Sequence, residues 1–338
     1  MSSAPARKRV LSGIQPSGVS HIGNYLGAIR NWVLQQDIYD NVFCIVNLHA
    51  ITLPTDPTTL LENTLTMANT LLAAGIDPKR SILFVQGDVR EHTELCWMLN
   101  SVTQYGELRR MTQFKDKAGG AEEGVSAALF DYPVLQAADI LLYDADLVPV
   151  GEDQRQHVEL TRDVAIRFNS RYGETFVVPA ADIKAEGAKV MALDDPTKKM
   201  SKSSASVGSY IALTDTPDEI SRKIKRAVTD SGGEVRASAD KPAITNLLTM
   251  HALLSGSGIP ELEEHFSGKG YGALKAEVAE VVVTALRPIQ ERLAELSSDP
   301  DGTIAILADG AQRARDRACR KMALVRERMG LELTNAHR

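Results

Sequence analysis

The sequence predicts an α/β fold: a parallel sheet covered by helices in its first half, then an all-helical part. Three observations carry this. Short β-rich runs alternate with helical patterns up to about residue 208. Several of those runs are apolar without alternation, as in strands buried on both faces. Beyond about Ser209 the strand signals stop and helical periodicities succeed one another.

Arg9-Val10-Leu11-Ser12 reads as the first strand, closed by the turn Gln15-Pro16-Ser17-Gly18. A helix follows from Gly23, with Leu26, Ile29, Trp32 and Val33 at helical spacing. Asn41 to Val46 is a buried strand, and Thr58 to Ala74 a helix that Gly75 and Asp77-Pro78 end. Ser81 to Val85 is the next strand. Asp146 to Val150 is another, running into Gly151 and a long helix from about Gln154 to Asn169. Thr216-Pro217-Asp218-Glu219 is a capping box with proline at the first helical position, which predicts a helix start. Helical patterns follow near 243–254, 271–296 and 303–329, the last expected to fold back onto the first domain. The division is a Rossmann-like domain over 1–208 and a helical domain over 209–338.

With 338 residues, 43% hydrophobic and 24% charged, the chain has the balance of an ordinary globular protein and needs no staple. Cys44, Cys96 and Cys319 lie far apart and form no CxxC pair, which excludes a disulfide framework or a thiolate metal site. The N-terminus leads into no signal-length apolar region, and no run approaches a membrane span, so a cytoplasmic location is expected. The formal net charge of −6 argues against indiscriminate nucleic-acid binding, and DNA is not an expected partner.

Two segments carry phosphate chemistry. Gln15-Pro16-Ser17-Gly18 and His21-Ile22-Gly23-Asn24 sit where a strand end opens onto a helix, the place where open α/β sheets bind ligands. Glycines there admit close approach of backbone to phosphate, and His21 and Asn24 can donate hydrogen bonds. A tight turn with a satisfied surface histidine would give the same residues. The second segment is more specific. Asp195-Pro196-Thr197-Lys198-Lys199-Met200-Ser201-Lys202-Ser203 packs three lysines and two serines into a short loop able to neutralise a polyphosphate. A GxxxxGK[ST] loop and a GxGxxG turn are both missing, against a P-loop ATPase and a dehydrogenase.

Asp139 lies in the apolar run Ala137 to Leu142, where an unpaired carboxylate would cost several kcal/mol. A partner is therefore required: an arginine, a helix N-terminus or a ligand donor. Basic residues cluster on two predicted helices: Arg222, Lys223, Lys225 and Arg226, and Arg313, Arg315, Arg317, Arg320, Lys321, Arg326 and Arg328. They are either solvated faces paired with Asp309, Asp316 and Glu327 or contacts to nucleic-acid phosphates.

His21-Ile22-Gly23-Asn24 and Lys199-Met200-Ser201-Lys202-Ser203 resemble the HIGH and KMSKS signatures of class I aminoacyl-tRNA synthetases, with Asn24 replacing a histidine. Further strings resemble bacterial tryptophanyl-tRNA synthetases over about Val10 to Leu331: Ser12 to Gly18, Met111 to Lys115, Ala137 to Tyr143, Val148 to Gln154 and Leu286 to Arg292. The resemblance implies ATP as substrate, with Mg²⁺, and L-tryptophan and tRNA(Trp) as partners of a homodimer. It implies catalytic roles for Gln15, His21, Asn24, Lys199, Ser201 and Lys202. It places ATP on Gln15, Pro16, Ser17, Gly23, Asn24, Gly151, Glu152, Asp153, Val190 and Lys199 through Ser203. Tryptophan falls on Tyr132, Gln154 and Asp139, the last accepting from the indole N–H. His49 is either a pocket residue or a histidine satisfied in the core. Gln136 and Asn47 depart from the methionine and aspartate of close relatives. Two further readings of the residues stand beside this one, a tyrosyl-tRNA synthetase and a catalytically silent RNA-binding paralogue.

Overall fold

The computed structural model describes residues 7–111, 126–183, 189–202 and 206–333; Thr112 to Lys115 and Ser203, named above, lie outside the described residues. Among the described residues five strands form one parallel sheet. They are β1 (Arg9–Ile14), β2 (Asp40–Ile45), β3 (Ile82–Val85), β4 (Leu147–Pro149) and β5 (Ala180–Asp182), in the order β3-β2-β1-β4-β5. β1 is paired on both sides, with β2 from Arg9↔Asp40 to Ile14↔Ile45 and with β4 at Val10↔Leu147. The strand order therefore reverses beside β1, and a crevice opens there at the carboxyl ends. β5 was not among the expected strands; Ala-Ala-Asp carries almost no β propensity, and only its pairing with β4 defines it.

The helix expected from Gly23 is present, with a π turn inside it. Residues Ile22–Asn24 (α1) and Arg30–Gln35 (α2) flank a π-helical turn at Tyr25–Ile29. Such wide turns recur at functional sites, and this one begins four residues after His21. α3 (Asn47–Ala50) leaves β2, and α4 (Pro57–Ala74) has Asp56 capping Thr59 N at 2.8 Å and Gly75 at φ 112°. α5 (Glu91–Asn100) and α6 (Tyr105–Arg109) follow β3; α7 (Ala127–Leu141) and α8 (Arg155–Tyr172) flank β4. One apolar layer joins Trp32, Phe43, Leu71 and Leu83; the other joins Phe84, Val134, Ala138 and Phe168.

The helical part contains α9 (Pro217–Arg226), α10 (Pro242–Ser255), α11 (Ile259–His265), α12 (Gly270–Ser298) and α13 (Pro300–Met329). α9 begins at the expected capping box, with Thr216 and Glu219 bonded reciprocally. Its core includes Ile224, Leu247 and Val278, and takes in Ile22, Val190, Leu193 and Met200 as well.

α13 returns to the sheet. Ala314, Ala318 and Met322 sit in the layer beside Phe84, and a Cβ on Gly310 would lie 1.8 Å from the Leu83 carbonyl oxygen. Its basic residues complete the docking. Arg317 grips both oxygens of Asp40 at 2.9 and 3.1 Å, Lys321 reaches Asp144 at 2.6 Å, and Arg326 pairs with Glu94 at 2.7 Å. Arg313 donates to Pro78 O at 2.6 Å, and Arg315 to Asp88 O. This corrects the reading of that charge as a solvated or phosphate-facing stripe: these five cations are engaged inside the molecule. Of the partners expected on α13 itself, Asp309 is 3.6 Å from Arg313.

Candidate active site

The crevice beside β1 holds a cavity of about 290 Å³. The ends of three strands meet there: Gly13 in the last residues of β1 and Gln15 after it, Val46 and His49 after β2, and Val150 and Gln154 after β4. α7 closes it with Tyr132, Gln136, Asp139 and Ile140. Tyr132, Gln154, Asp139 and His49, expected around one ligand, thus converge on one cavity. Gln136 also lines it, adding an amide to the wall.

Asp139 is 3% exposed and fully hydrogen-bonded on its inner side. Oδ1 accepts from Gln86 Nε2 at 2.7 Å and lies 2.6 Å from His92 Nδ1; Oδ2 lies 2.7 Å from His49 Nε2. Among the described residues neither an arginine nor a helix N-terminus pairs with it; two histidines and a glutamine take the place of the protein partners offered from sequence. Burial pushes its carboxyl up, but the charge and hydrogen bonds of His49 and His92 outweigh this and bring it to about 2. His49 is at once a cavity residue and a core partner of Asp139. Asn47 turns away: its Oδ1 accepts from Gly87 N at 2.9 Å and ties α3 to the end of β3.

Tyr132 is buried, its hydroxyl 2.9 Å from His157 Nε2 on α8, and burial pushes it up to about 12. Gln154 donates to Asp153 Oδ2 at 2.8 Å. Gly151 lies under that carboxylate, since a Cβ there would sit 2.6 Å from Asp153 Oδ1. Its smallness thus accommodates Asp153 as well as any nucleotide. Glu152 is exposed and held by Arg155 at 2.6 and 2.9 Å.

The two phosphate segments meet just beyond the β1 end. Lys202 donates from Nζ to the Ser17 carbonyl at 2.7 Å, and Gly18, at φ 81°, turns the chain beneath it. His21 is buried and lowered to about 4, by burial first and then by the fields of Lys202 and Lys199. It is therefore neutral at pH 7, and among the described residues its Nδ1 has no hydrogen-bond partner. Asn24 Oδ1 accepts from His21 N at 3.1 Å, which leaves the Asn24 amide N–H group to donate outward. Pro16 is buried, with Gln15 and Ser17 exposed on either side.

Met200 anchors the lysine loop. It is 2% exposed among Ile22, Val190 and Ile211, and its N–H donates to Val190 O at 3.1 Å. The side chains of Met200 and Val190 thus face the core, leaving their backbones for any nucleotide contact. Lys198 is paired with Asp195 at 2.9 Å, so Lys199 and Lys202 are the loop's outward cations. Gln86, His92 and His157 escaped sequence reasoning; no local motif surrounds them, and their roles arise only from packing.

The family described as tRNA synthetases class I (W and Y) matches residues 4–287. A tryptophan–tRNA ligase from Wolinella succinogenes is 52% identical over 96% of this chain and 99% of its own length. The crystal structure of a Mycoplasma pneumoniae tryptophanyl-tRNA synthetase superposes with a TM-score of 0.87 at 36% identity, covering 98% of this chain and 99% of that one. That of the Campylobacter jejuni enzyme, complexed with ADP and tryptophan, gives 0.82 at 39% identity, covering 95% and 99%. A tyrosyl-tRNA synthetase from Aeropyrum pernix, at 24% identity, TM-score 0.65 and coverages of 92% and 89%, shares the fold alone. The chain belongs to the class I tRNA synthetases of the tryptophan and tyrosine group, and within them to the tryptophan–tRNA ligases.

Proposed function

We propose that the cavity takes the side chain of L-tryptophan while ATP, carrying Mg²⁺ on its phosphates as part of the substrate, lies across the mouth of the crevice. The observation that carries this reading is the cavity joining Asp139 to Gly13 and Gln15 at the β1 end, with Lys202 bonded to Ser17 two residues beyond Gln15. An indole offers one donor and no acceptor, which an ionised carboxylate suits. In this reading Tyr132 and Gln154, which line the same cavity, meet the ammonium group.

The reaction follows from that arrangement. A carboxylate oxygen of tryptophan attacks the α-phosphorus, and the bond from that phosphorus to the bridging oxygen of pyrophosphate breaks. The developing charge is met by Lys199 and Lys202, with the hydroxyls of Ser201 and of Ser203, the next residue in sequence after Lys202, and by neutral donors at His21 and Asn24. Gln15, Pro16, Ser17, Gly23, Gly151, Glu152, Asp153 and the Val190–Met200 backbone complete the nucleotide's surroundings. Catalysis is positioning and electrostatic stabilisation, without a covalent enzyme intermediate. The adenylate then passes its tryptophanyl group to the terminal ribose of tRNA(Trp).

Residues 1–208 act in this reading as the catalytic domain and 209–338 as the tRNA- and anticodon-binding domain. The exposed Arg222, Lys225 and Arg226 of α9 are the cations there for RNA phosphates. A homodimer through the first domain is supported by two exposed aromatic rings there, Trp97 on α5 at 80% and Tyr105 on α6 at 68%. No helix among the described residues is long and apolar enough to cross a membrane. A cytoplasmic location goes with a tRNA substrate. Charging of a tRNA(Trp) transcript tests the proposal: esterification is expected, and RNA binding without esterification would favour the silent paralogue.

A further inference from the structure

Asp139 meets the cavity with a surface that residues outside the cavity have prepared. A carboxylate has about four lone-pair positions. Gln86 and His92 occupy both on Oδ1, at 2.7 and 2.6 Å, and His49 takes one on Oδ2 at 2.7 Å. Among the described residues one acceptor position is left, on Oδ2. Behind His92, the Tyr143 hydroxyl lies 2.8 Å from its Nε2, and both rings are buried. Because the carboxylate only accepts, His92 Nδ1 carries a proton and donates it to Asp139 Oδ1, while the Tyr143 hydroxyl at Nε2 fixes the plane of the ring.

We propose that His92, oriented by Tyr143, is a positioning residue that keeps Asp139 ionised with one acceptor site free, and so selects a ring bearing a single N–H. This rests on the reading of Asp139 as the indole acceptor. The groups facing Asp139 are His49 from α3, His92 and Cys96 from α5, Cys44 from β2, and Tyr143 just beyond α7. Burial pushes the Cys44 and Cys96 thiols and the Tyr143 phenol up, so these three stay protonated and offer Asp139 no competing charge. Asp139 itself would rise without the two histidines, because burial acts in that direction. Removing His92 therefore moves protonation of Asp139 toward neutral pH, where a protonated carboxyl presents a donor to the indole N–H.

The experiment is ATP–pyrophosphate exchange by the full chain from pH 5.5 to 8.5, with tryptophan and with its benzothiophene isostere, β-(3-benzothienyl)alanine. His92→Leu should show a tryptophan KM that rises by about tenfold or more as pH falls, one pKa unit being worth tenfold. Its kcat and its KM for ATP should stay at wild-type values, and its preference for tryptophan over the isostere should fall at low pH. His92→Asn, whose amide N–H can replace Nδ1–H, should restore the wild-type profile. A KM profile in His92→Leu that matches wild type overturns the proposal. Should His92→Leu not fold, Tyr143→Phe removes only the hydroxyl that orients the ring; a pH-dependent tryptophan KM supports the proposal and an unchanged one overturns it. Wild-type enzyme that fails to prefer tryptophan over the isostere refutes the indole–Asp139 contact itself, a result separate from the behaviour of the His92 variants.

Discussion

Lys202 donates from Nζ to the Ser17 carbonyl oxygen across 2.7 Å, joining two segments 185 residues apart in sequence. The lysine is half-buried, and burial lowers it from its ordinary value, which draws it toward an anion entering the same space. A phosphate arriving at the crevice mouth offers a stronger acceptor than the carbonyl. Lys202→Ala is expected to slow pyrophosphate exchange by roughly 10²-fold or more, the range seen when one preorganised charge-stabilising donor is lost. Tryptophan binding, followed by equilibrium titration, should be little changed; a normal exchange rate would refute the role.

Asp139→Asn should reduce kcat/KM for tryptophan by about 10- to 100-fold, the worth of a charged hydrogen bond at about 1.5–3 kcal/mol. KM for ATP should hardly move. Alanine is the poorer probe at this position, because it would orphan the donors on Gln86, His49 and His92 together. Equal losses toward tryptophan and ATP would contradict a specific indole contact.

His21 gives a pH prediction. Its folded value is about 4 against an ordinary 6.5, so between those values the unfolded chain carries a proton that the folded chain lacks. Stability from this residue therefore rises with pH from about 4 to 6.5 and is level above that window. His21→Gln should flatten the thermal midpoint over that window relative to wild type. A midpoint profile in the variant as steep as wild type's would show that the buried, lysine-flanked ring is not what titrates.

How far the sequence reached depends on whether a feature is local. The Lys199–Ser203 loop and the Gln15–Asn24 turn are contiguous strings whose chemistry can be read from neighbours in the chain, and the structure brings the described parts together. The strands β1 to β4 were legible because burial on both faces leaves a run of apolar residues. The partners of Asp139 were not: His92, Gln86 and His49 lie 47, 53 and 90 residues from it and carry no shared spacing. The same holds for α13. Its arginines look like an RNA-facing stripe in sequence, and only the packing of Gly310 on Leu83 and of Arg317 on Asp40 turns them inward.

That packing is open to test. Gly310→Val should destabilise the chain by at least about 1–3 kcal/mol, because its Cβ would overlap the Leu83 carbonyl and no flexible side chain can yield. Thermal or urea denaturation reads this directly. Wild-type stability would mean that α13 does not lie as close to β3 as described.

The central claim is that the cavity beneath Asp139 and the phosphate segments at its mouth form one site for activating one amino acid. ATP–pyrophosphate exchange with each of the twenty standard amino acids tests it most directly. Exchange driven by tryptophan, with tyrosine and the others near background, is the expected result. Exchange driven by tyrosine alone, or by none of the twenty, would contradict it.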